Sequence, residues 1–451
     1  MDVKRPLVIA VVVAALMAGL VTAAAASTPP EVVAEICGGL FGGVFGAPNG
    51  EPLGICQWNM AIIHASDDGS YALATGKGVT VAMLDTGVDF NHPDIFPNLD
   101  VDRSCSFIFD DTPTADSSEI SNGDCTNKTA VQDMNGHGTF TASIVAAPVN
   151  EIGIAGVAPE ATIVSLKVCT VGGLCFVDSV AAALRYAGDH ELDIVNMSLF
   201  ADPYLYYCKS EKEQRAMLKE LEAAARYAQQ RGVLIVAAAG NMTDDLQHPG
   251  IDAISPDWPP DSAEVRYVKN NCRVAPAELA GVLTVSATGP VGYPGYETWI
   301  ASYSTVGMSR VDIAAPGGDW GAASGTLQDM VLGAFSSTDI TGFWEFVESL
   351  GDETPGWATE QGDGRYMFLA GTSAAAPHVA GVAALVKEVH PNWGPEAIKA
   401  AVERSAQQLG CPDNWEPVGP WDQRERCYGQ SGRTSFFGHG LLDAEQAARL
   451  K

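Results

Sequence analysis

The sequence has few basic residues: 26 lysines and arginines stand against 55 aspartates and glutamates, a formal net charge of -29. Nucleic acids and anionic membrane surfaces are bound by clustered cations, so this balance argues against both kinds of partner. Charged residues make up only 18% of the chain and apolar residues 47%. With 451 residues, the chain can therefore bury a large core, in one large domain or in several ordinary ones.

Zinc-binding spacings are also missing. No Cys-x-x-Cys occurs, and no histidine stands at zinc-ligand spacing from a cysteine, so a zinc site is not expected. Internal repeats and low-complexity tracts are absent as well, apart from an alanine-rich N-terminus. A zinc protein and a repeat protein are thus both disfavoured.

Only one apolar run is long enough to cross a bilayer, and it lies at the N-terminus. Lys4 and Arg5 precede the apolar stretch 7–21, and small residues at 23–27 follow it. This order predicts a secretory signal peptide over residues 1–26, with an uncleaved membrane anchor as the alternative. After cleavage we expect a soluble, extracellular protein that has no membrane association.

Ten cysteines follow this segment, and in an exported protein they predict disulfide bonds. Sequence alone leaves the connectivity open. We assume that neighbours along the chain pair with each other: Cys37–Cys56, Cys105–Cys125, Cys169–Cys175, Cys208–Cys272 and Cys411–Cys427.

Short apolar runs alternate with helical patterns through most of the chain. The predicted buried strands lie at 79–84, 161–168, 193–197, 233–239, 282–287 and 311–314. The predicted helices lie at 137–147, 178–187, 211–230, 373–389 and 394–404, with Asp178 as a candidate N-cap. This alternation indicates an α/β fold with a parallel sheet, whose functional residues lie at the carboxyl ends of the strands.

The remaining stretches define the domain organisation. Residues 27–56 are rich in glycine and proline, look irregular, and form a short N-terminal segment before a single domain at 57–451. Long polar stretches are predicted to be surface insertions on that domain; they lie at 103–132, 200–212, 242–275 and 317–366.

Three short motifs stand where a predicted strand meets a turn or a helix. Asp85 begins D-T-G after the first strand, His137 lies in N-G-H-G-T, and Ser373 lies in G-T-S-A-A-A-P-H. Acyl transfer needs a nucleophile, a base that works near pH 7 and an acid that orients the base. Each motif alone also fits a turn or an N-cap, but the three in this order favour serine-hydrolase chemistry.

With these motifs the chain resembles the subtilisin-like serine protease (subtilase) family, over about residues 57–444. The resemblance rests on L-D-T-G-V-D at 84–89, H-P-D at 92–94, N-G-H-G-T at 135–139, G-V-A-P at 156–159, N-M-S-L at 196–199, A-A-A-G-N at 237–241, A-P-G at 315–317, G-T-S-A-A-A-P-H-V-A-G at 371–381 and G-H-G-L-L-D-A at 438–444. It implies a three-layer α/β/α fold with a mostly parallel sheet, and a secreted serine endopeptidase that hydrolyses peptide bonds through an acyl-enzyme.

The resemblance also implies residue roles. Ser373 is expected to be the nucleophile, His137 the general base and acid, and Asp85 the carboxylate that orients the imidazole. Asn241 is expected to donate to the oxyanion together with the backbone N–H of Ser373. Ala374 replaces the frequent methionine beside the nucleophile, which predicts tolerance of peroxide. A catalytically silent pseudoprotease is the alternative, and the intact set of residues argues against it.

The family's substrate cleft is implied to be lined by Ser198, Leu199, Ala239 and Gly240, with the segment at 198–199 pairing with bound peptide as an antiparallel strand. Phe200 stands where a glycine is usual, so we expect a narrower or reshaped wall. Segment 202–208 also resembles a subgroup that includes leader-peptide-processing enzymes. Broad protein degradation and processing of a specific secreted precursor both remain open.

A structural calcium site is a further implication. The implied ligands are Gln57, Asp94, Pro148, Asn150, Ile152 and Ile154. Oxygen ligands of this mix suit Ca²⁺ and favour a calcium site; the alternative is that Asp94 caps a turn and the loop merely packs. No catalytic cofactor is expected, and we expect a monomer that acts on polypeptides.

Overall fold

The structure is a computed structural model that describes residues 28–42, 46–291, 297–320, 324–350, 356–413, 415, 422–424, 426–430 and 432–451. The predicted signal peptide at 1–26 lies outside the described residues. Within them, none of the helices combines the length and the apolar character that a membrane span requires.

The predicted strands and helices are all present, with ends that differ by up to four residues. The helices of the described residues are α1 Pro30–Phe41, α2 Trp58–Ile62, α3 His137–Ala146, α4 Val177–Asp189, α5 Lys212–Gln230, α6 Phe343–Leu350, α7 Thr372–Val389, α8 Pro395–Ser405 and α9 Ala444–Arg449. The strands are β1 Thr80–Asp85, β2 Cys105–Ser106, β3 Thr162–Lys167, β4 Ile194–Met197, β5 Tyr206–Cys208, β6 Leu234–Ala238, β7 Ile251–Asp252, β8 Arg266–Tyr267, β9 Cys272–Val274, β10 Leu283–Val291, β11 Glu297–Ile300, β12 Ile313–Pro316, β13 Val331–Phe335, β14 Ala358–Gln361, β15 Gly364–Leu369, β16 Gly429–Gln430 and β17 Arg433–Thr434.

The central sheet has the strand order β11–β10–β6–β4–β1–β3–β2, and β12 also pairs with β10. All of these pairs are parallel except β10 with β11. Parallel strands need crossover connections, and the alternating helices provide them. The predicted mostly parallel sheet is confirmed.

Side chains of β1 alternate between two separate apolar cores. Val81 and Met83 pack with α3 and α7 on one face, whereas Ala82 and Leu84 pack with α4 and α5 on the other. A strand that is buried on both faces is apolar throughout, which explains the continuous run in the sequence. The predicted three-layer α/β/α architecture in a single domain is thus confirmed.

The N-terminal segment contains a helix, so the prediction that residues 27–56 are irregular is wrong. Helix α1 begins with Pro30, where proline costs no hydrogen bond, and its residues Val33, Cys37 and Phe41 are fully buried. Gly38 and Gly39 near its C-terminal end mask the helical pattern, because glycine is a poor helix former. Packing against the domain stabilises the helix instead.

The polar stretch at 317–366 is not a simple surface insertion either. Strands β13, β15 and β14 form an antiparallel sheet, and α6 packs beside it. Phe335, Trp344 and Tyr366 are almost completely buried in the main core. In the stretches that connect these elements, charged residues and glycines outnumber apolar residues. For this reason the sequence pattern indicated a surface insertion.

The predicted cap of α4 is also wrong. The helix begins at Val177 with Phe176 as its N-cap residue, and no side chain caps it. Asp178 lies in the first turn, where its negative charge still interacts favourably with the helix dipole.

All five predicted disulfide bonds are present. Cys208 ends β5 and Cys272 begins β9, and the two strands pair antiparallel. This disulfide therefore joins the insertions 200–212 and 242–275 into one unit, which we call the paired insertions.

Candidate active site

The residues predicted to be catalytic lie where the α/β architecture exposes strand ends and helix starts. Asp85 is the last residue of β1, and Asn241 follows shortly after β6. His137 is the first residue of α3 and Ser373 the second residue of α7, and the two helices pack on the same face of the sheet. The carboxyl edge of a parallel sheet is where such folds build their sites.

Asp85 and His137 form a close pair. Asp85 is 2% exposed, and its Oδ1 lies 2.7 Å from Nδ1 of His137. The backbone N–H of Thr86 donates to the same oxygen at 2.8 Å, and the hydroxyl of Thr141 donates to Oδ2 at 3.0 Å. Because a carboxylate only accepts, Nδ1 carries the proton and Nε2 is left as an acceptor.

Opposing effects act on the pKa of His137. Burial of the imidazole lowers it, but the charge and the hydrogen bond of Asp85 raise it, and the charge of Asp133 adds to this. The net result is that the pKa of His137 is raised above the ordinary value of 6.5. Such an imidazole is a stronger base than a free histidine.

Asp133 is a buried carboxylate that the sequence analysis missed. It accepts from the backbone N–H of Asn135 at 3.0 Å, and of Gly136 and Thr139 at 2.9 Å each. The hydroxyl of Thr86 also donates to it, at 2.9 Å. Asp133 thereby ties the start of α3 to the loop after β1. An aspartate shortly before a glycine turn is the signal that could have revealed it.

A buried ion pair supports the loop that follows β1. Nζ of Lys167 is 2.8 Å from Oε1 of Glu119, and both side chains are fully buried. The ammonium also donates to the carbonyl oxygens of Thr86 at 2.6 Å and Gln132 at 3.1 Å. Glu119 belongs to the insertion at 103–132, so an insertion contributes to the support of the site.

Ser373 is hydrogen-bonded to the predicted substrate wall. Its hydroxyl donates to the carbonyl oxygen of Ser198 at 3.2 Å, and the hydroxyl of Ser198 donates to the carbonyl of Ser373 at 2.9 Å. The side-chain amide of Asn196 in turn donates to the Ser198 hydroxyl at 3.0 Å. These hydrogen bonds hold the N-terminal end of α7 against the residues that follow β4.

The orientation of the Asn241 amide follows from its partners. Both the backbone N–H and the hydroxyl of Thr372 donate to Oδ1, each at 2.8 Å, so Nδ2 must face the other way. A Cβ atom placed on Gly371 would lie 3.4 Å from Nδ2 of Asn241 and 3.5 Å from the backbone nitrogen of Ser373. The two nitrogens therefore border the same small space beside Gly371.

The serine motif contains a second histidine, His378, which plays a different part. It is fully buried, with Nδ1 2.7 Å from the carbonyl oxygen of Ala374 and Nε2 2.8 Å from Nδ2 of Asn59. Burial lowers its pKa to about 4, so the ring is neutral. His378 braces α7, and His137 remains the candidate base.

The predicted substrate wall is shaped by the paired insertions. Ser198 is buried, while Leu199 and Phe200 are half-buried. Leu199 packs against the core beside α4 and α5, and Phe200 packs, together with Met242, against the apolar cluster of the paired insertions. Phe200, the first residue of the paired insertions, therefore packs against the rest of them.

The other two wall residues have backbone roles. Ala239 is buried, and its N–H donates to the carbonyl of Val285 at 2.9 Å. Gly240 has a φ of 116°, a region that favours glycine, and its N–H donates to the hydroxyl of Thr372 at 3.2 Å. The chain can therefore turn sharply between β6 and Asn241.

Four of the six implied calcium ligands lie within residues 148–154, which we call the ligand loop. Asp94 is fully buried, and its Oδ2 accepts from the N–H of Ile154 at 3.0 Å and the hydroxyl of Tyr366 at 3.2 Å. Its Oδ1 is buried without a hydrogen-bond partner. An orphaned carboxylate oxygen of this kind suits a cation.

The remaining implied calcium ligands are already engaged in hydrogen bonds or buried. Oε1 of Gln57 already accepts from Asn49 at 2.9 Å and from the N–H of Ala155 at 3.1 Å. Oδ1 of Asn150 accepts from the N–H of Ile152 at 2.9 Å, and Pro148 is buried. In the described part of the chain, no three histidine, cysteine or acidic side chains cluster as a metal site.

A buried aspartate that pairs with a partly exposed histidine, a serine at a helix start and converging N–H donors are the features of a serine hydrolase site. The family model described as the Subtilase family matches residues 76–440. The chain belongs to the subtilase family.

Similar proteins agree with this assignment. Subtilisin Savinase from Lederbergia lenta is 29% identical over 392 residues, covering 87% of this chain and 98% of that protein. The structure of the epidermin leader peptide processing serine protease from Staphylococcus aureus is 23% identical with a TM-score of 0.61, covering 88% and 81% of the two chains. The nisin leader peptidase from Lactococcus lactis is 19% identical with a TM-score of 0.61, covering 88% and 94%. The protein is a serine-type endopeptidase that acts on polypeptides.

Proposed function

We propose that Ser373, His137 and Asp85 form the catalytic triad, with Asn241 and the N–H of Ser373 as oxyanion donors. His137 Nε2 takes the Ser373 proton as the hydroxyl oxygen attacks the scissile carbonyl carbon. The tetrahedral intermediate collapses, the amine leaves with the proton from His137, and water then hydrolyses the acyl-enzyme. The contact of 2.7 Å between Asp85 and His137, which leaves Nε2 as an acceptor, is the observation that carries this proposal.

The reaction requires a change of partner at Ser373. Its hydroxyl donates to the carbonyl of Ser198, and it has to donate to His137 before the attack. A peptide that pairs with this wall as an added strand brings a backbone N–H to compete for the Ser198 carbonyl. Substrate binding therefore favours release of the hydroxyl towards the base.

Labelling with a fluorophosphonate probe tests the triad directly. The wild-type protein should react covalently, and Ser373→Ala should not. Ser349, an exposed serine on α6, provides the matched control, and Ser349→Ala should label like the wild type. Folded wild-type protein that does not label would favour the pseudoprotease alternative.

A second candidate function is processing of a specific secreted precursor. Phe200 and the paired insertions support it, because an insertion that backs the substrate wall limits which side chains fit there. Two similar structures are, by their names, leader-peptide proteases. Profiling of a peptide library separates the two functions: a processing enzyme cleaves few sequences, and a degradative enzyme cleaves many.

We further propose that the protein acts outside the cell as a monomer, after removal of residues 1–26. Five disulfide bonds support an oxidising compartment. The mature chain then consists of the segment 27–56 and the peptidase domain 57–451, and the negative net charge disfavours nucleic acid or membranes as partners. Mass spectrometry of the exported protein would locate its N-terminus and exclude a retained anchor.

We also propose that the ligand loop holds a structural calcium ion. The orphaned Oδ1 of Asp94 supports this, and Asn150, Pro148, Ile152 and Ile154 would supply neutral oxygens. Gln57 would have to exchange its present hydrogen bonds for the ion, so it is the least suited of the implied ligands. Calorimetric titration with Ca²⁺, before and after treatment with a chelator, tests for the site.

A further inference from the structure

Glu51 lies in the N-terminal segment and reaches the ligand loop. Its side chain is buried, with a relative exposure of 6%. Oε1 accepts from the backbone N–H of Asn150 at 2.9 Å and of Glu151 at 3.2 Å. Oε2 is buried and has no hydrogen-bond partner. Glu51 thus binds the early part of the loop, whereas Asp94 binds its end through Ile154.

Two buried carboxylates therefore meet at one short loop, and each has one orphaned oxygen. Across the described residues, neither carboxylate forms an ion pair with a lysine, arginine or histidine. Burial of charges that have no partner is energetically unfavourable, so a bound cation would stabilise this pair of carboxylates.

We propose that Glu51 is a ligand of the same calcium ion as Asp94. The inference rests on the calcium site proposed above and adds a carboxylate that the sequence resemblance does not contain. Together the two carboxylates match the double positive charge of the ion, and their orphaned oxygens, Oε2 and Oδ1, are the atoms that bind it. The neighbouring hydrogen bonds to the loop hold both carboxylates in place.

The proposal makes calcium a link between the N-terminal segment and the peptidase domain. The segment is already attached near Glu51, because the N–H of Leu53 donates to the carbonyl of Gly153 at 2.8 Å. The side chain of Asn49 donates to Gln57, and Cys37 is bonded to Cys56. A shared ion would hold residues 49–53 on the loop, so loss of calcium should loosen this stretch first.

Terbium provides a probe for the site, because Tb³⁺ occupies calcium sites and is excited by a nearby aromatic ring. The hydroxyl of Tyr366 contacts Asp94, so its ring lies next to the proposed ion. Tb³⁺ luminescence and its displacement by Ca²⁺ should be measured on the mature protein and on the variants Glu51→Gln, Asp94→Asn and Glu35→Gln. The amide of Glu51→Gln can still accept from the loop, and Glu35 is an exposed glutamate on α1 that serves as the matched control.

We expect Glu51→Gln to weaken Ca²⁺ binding on the order of 100-fold, as Asp94→Asn does, since affinity follows the number of charged ligands. Glu35→Gln should bind like the wild type. Hydrogen exchange gives a second readout: calcium should slow exchange at residues 49–53 in the wild type and not in Glu51→Gln.

The outcomes separate the two proposals. If Glu51→Gln binds calcium as tightly as Glu35→Gln while Asp94→Asn does not, the ion is present and Glu51 is not its ligand. If the wild type binds neither Tb³⁺ nor Ca²⁺ at the loop, both calcium proposals fail, and the fluorophosphonate assay still decides the catalytic one.

Discussion

The orientation of the Asn241 amide leads to a prediction that separates catalysis from stability. Its Oδ1 accepts two hydrogen bonds from Thr372, while Nδ2 faces the space bordered by the N–H of Ser373. Asn241→Ala removes all of these interactions. Asn241→Asp keeps oxygen acceptors for Thr372, removes the donor and adds a negative charge.

The magnitudes follow from these contacts. Loss of one oxyanion donor lowers kcat about 10²–10³-fold, or roughly 2.7–4 kcal/mol of transition-state stabilisation. Thr372 is 1% exposed, so loss of its acceptor leaves buried donors unpaired and costs roughly 1–3 kcal/mol of folding free energy in Asn241→Ala. Asn241→Asp should unfold like the wild type, yet lose at least as much activity, because its charge repels the oxyanion.

The assay combines steady-state hydrolysis of a fluorogenic peptide with thermal unfolding of the same samples. KM should change little in both variants, since the donor acts mainly in the transition state. Activity of Asn241→Asp within tenfold of the wild type would refute the assigned role. A marked loss of its thermal stability would show instead that the hydrogen bonds to Thr372 are described wrongly.

The acid limb of the pH profile of kcat/KM should lie above pH 6.5, because the pKa of His137 is raised and only the neutral ring acts as base; Asp85→Asn should move that limb to lower pH and reduce the rate about 10⁴-fold. Glu119→Gln should destabilise the fold by about 3–5 kcal/mol in urea unfolding, because it leaves the buried charge of Lys167 unpaired. Dilute peroxide should leave activity intact, and Ala374→Met should make the enzyme sensitive to it.

Each of these three predictions can be contradicted by a specific outcome. An acid limb that does not move in Asp85→Asn would mean that a group other than His137 controls it. Asp111 is exposed on the same insertion as Glu119, so Asp111→Asn should be neutral; equal stability of both variants contradicts the ion-pair argument. Rapid inactivation of the wild type by peroxide contradicts the third prediction.

The strands of the central sheet and helix α7 were predictable from the sequence because most of their residues are buried. A parallel strand such as β1 is apolar throughout, and α7 is buried along most of its length, so local hydrophobicity reports the element directly. Helix α1 was not predictable in this way. Its glycines oppose a helix, and contacts with distant residues stabilise it.

The residues of the candidate site also differ in how far the sequence predicted them. Asp85, His137, Ser373 and Asn241 stand in short motifs whose glycines and neighbouring residues mark strand ends and helix starts, so the sequence was enough to select them. The supporting residues have no such motif. Glu119 is far from Lys167 in the chain, and only folding of the insertion brings the two charges together.

Residue types and local patterns were thus enough to predict the family, the order of the candidate catalytic residues and the apolar strands of the central sheet. The amide orientation of Asn241 and the approach of Glu51 to the loop that Asp94 contacts became visible only in the fold. Residue type and local pattern record what a side chain can do. Burial and the pairing of distant charges depend on where the whole chain places it.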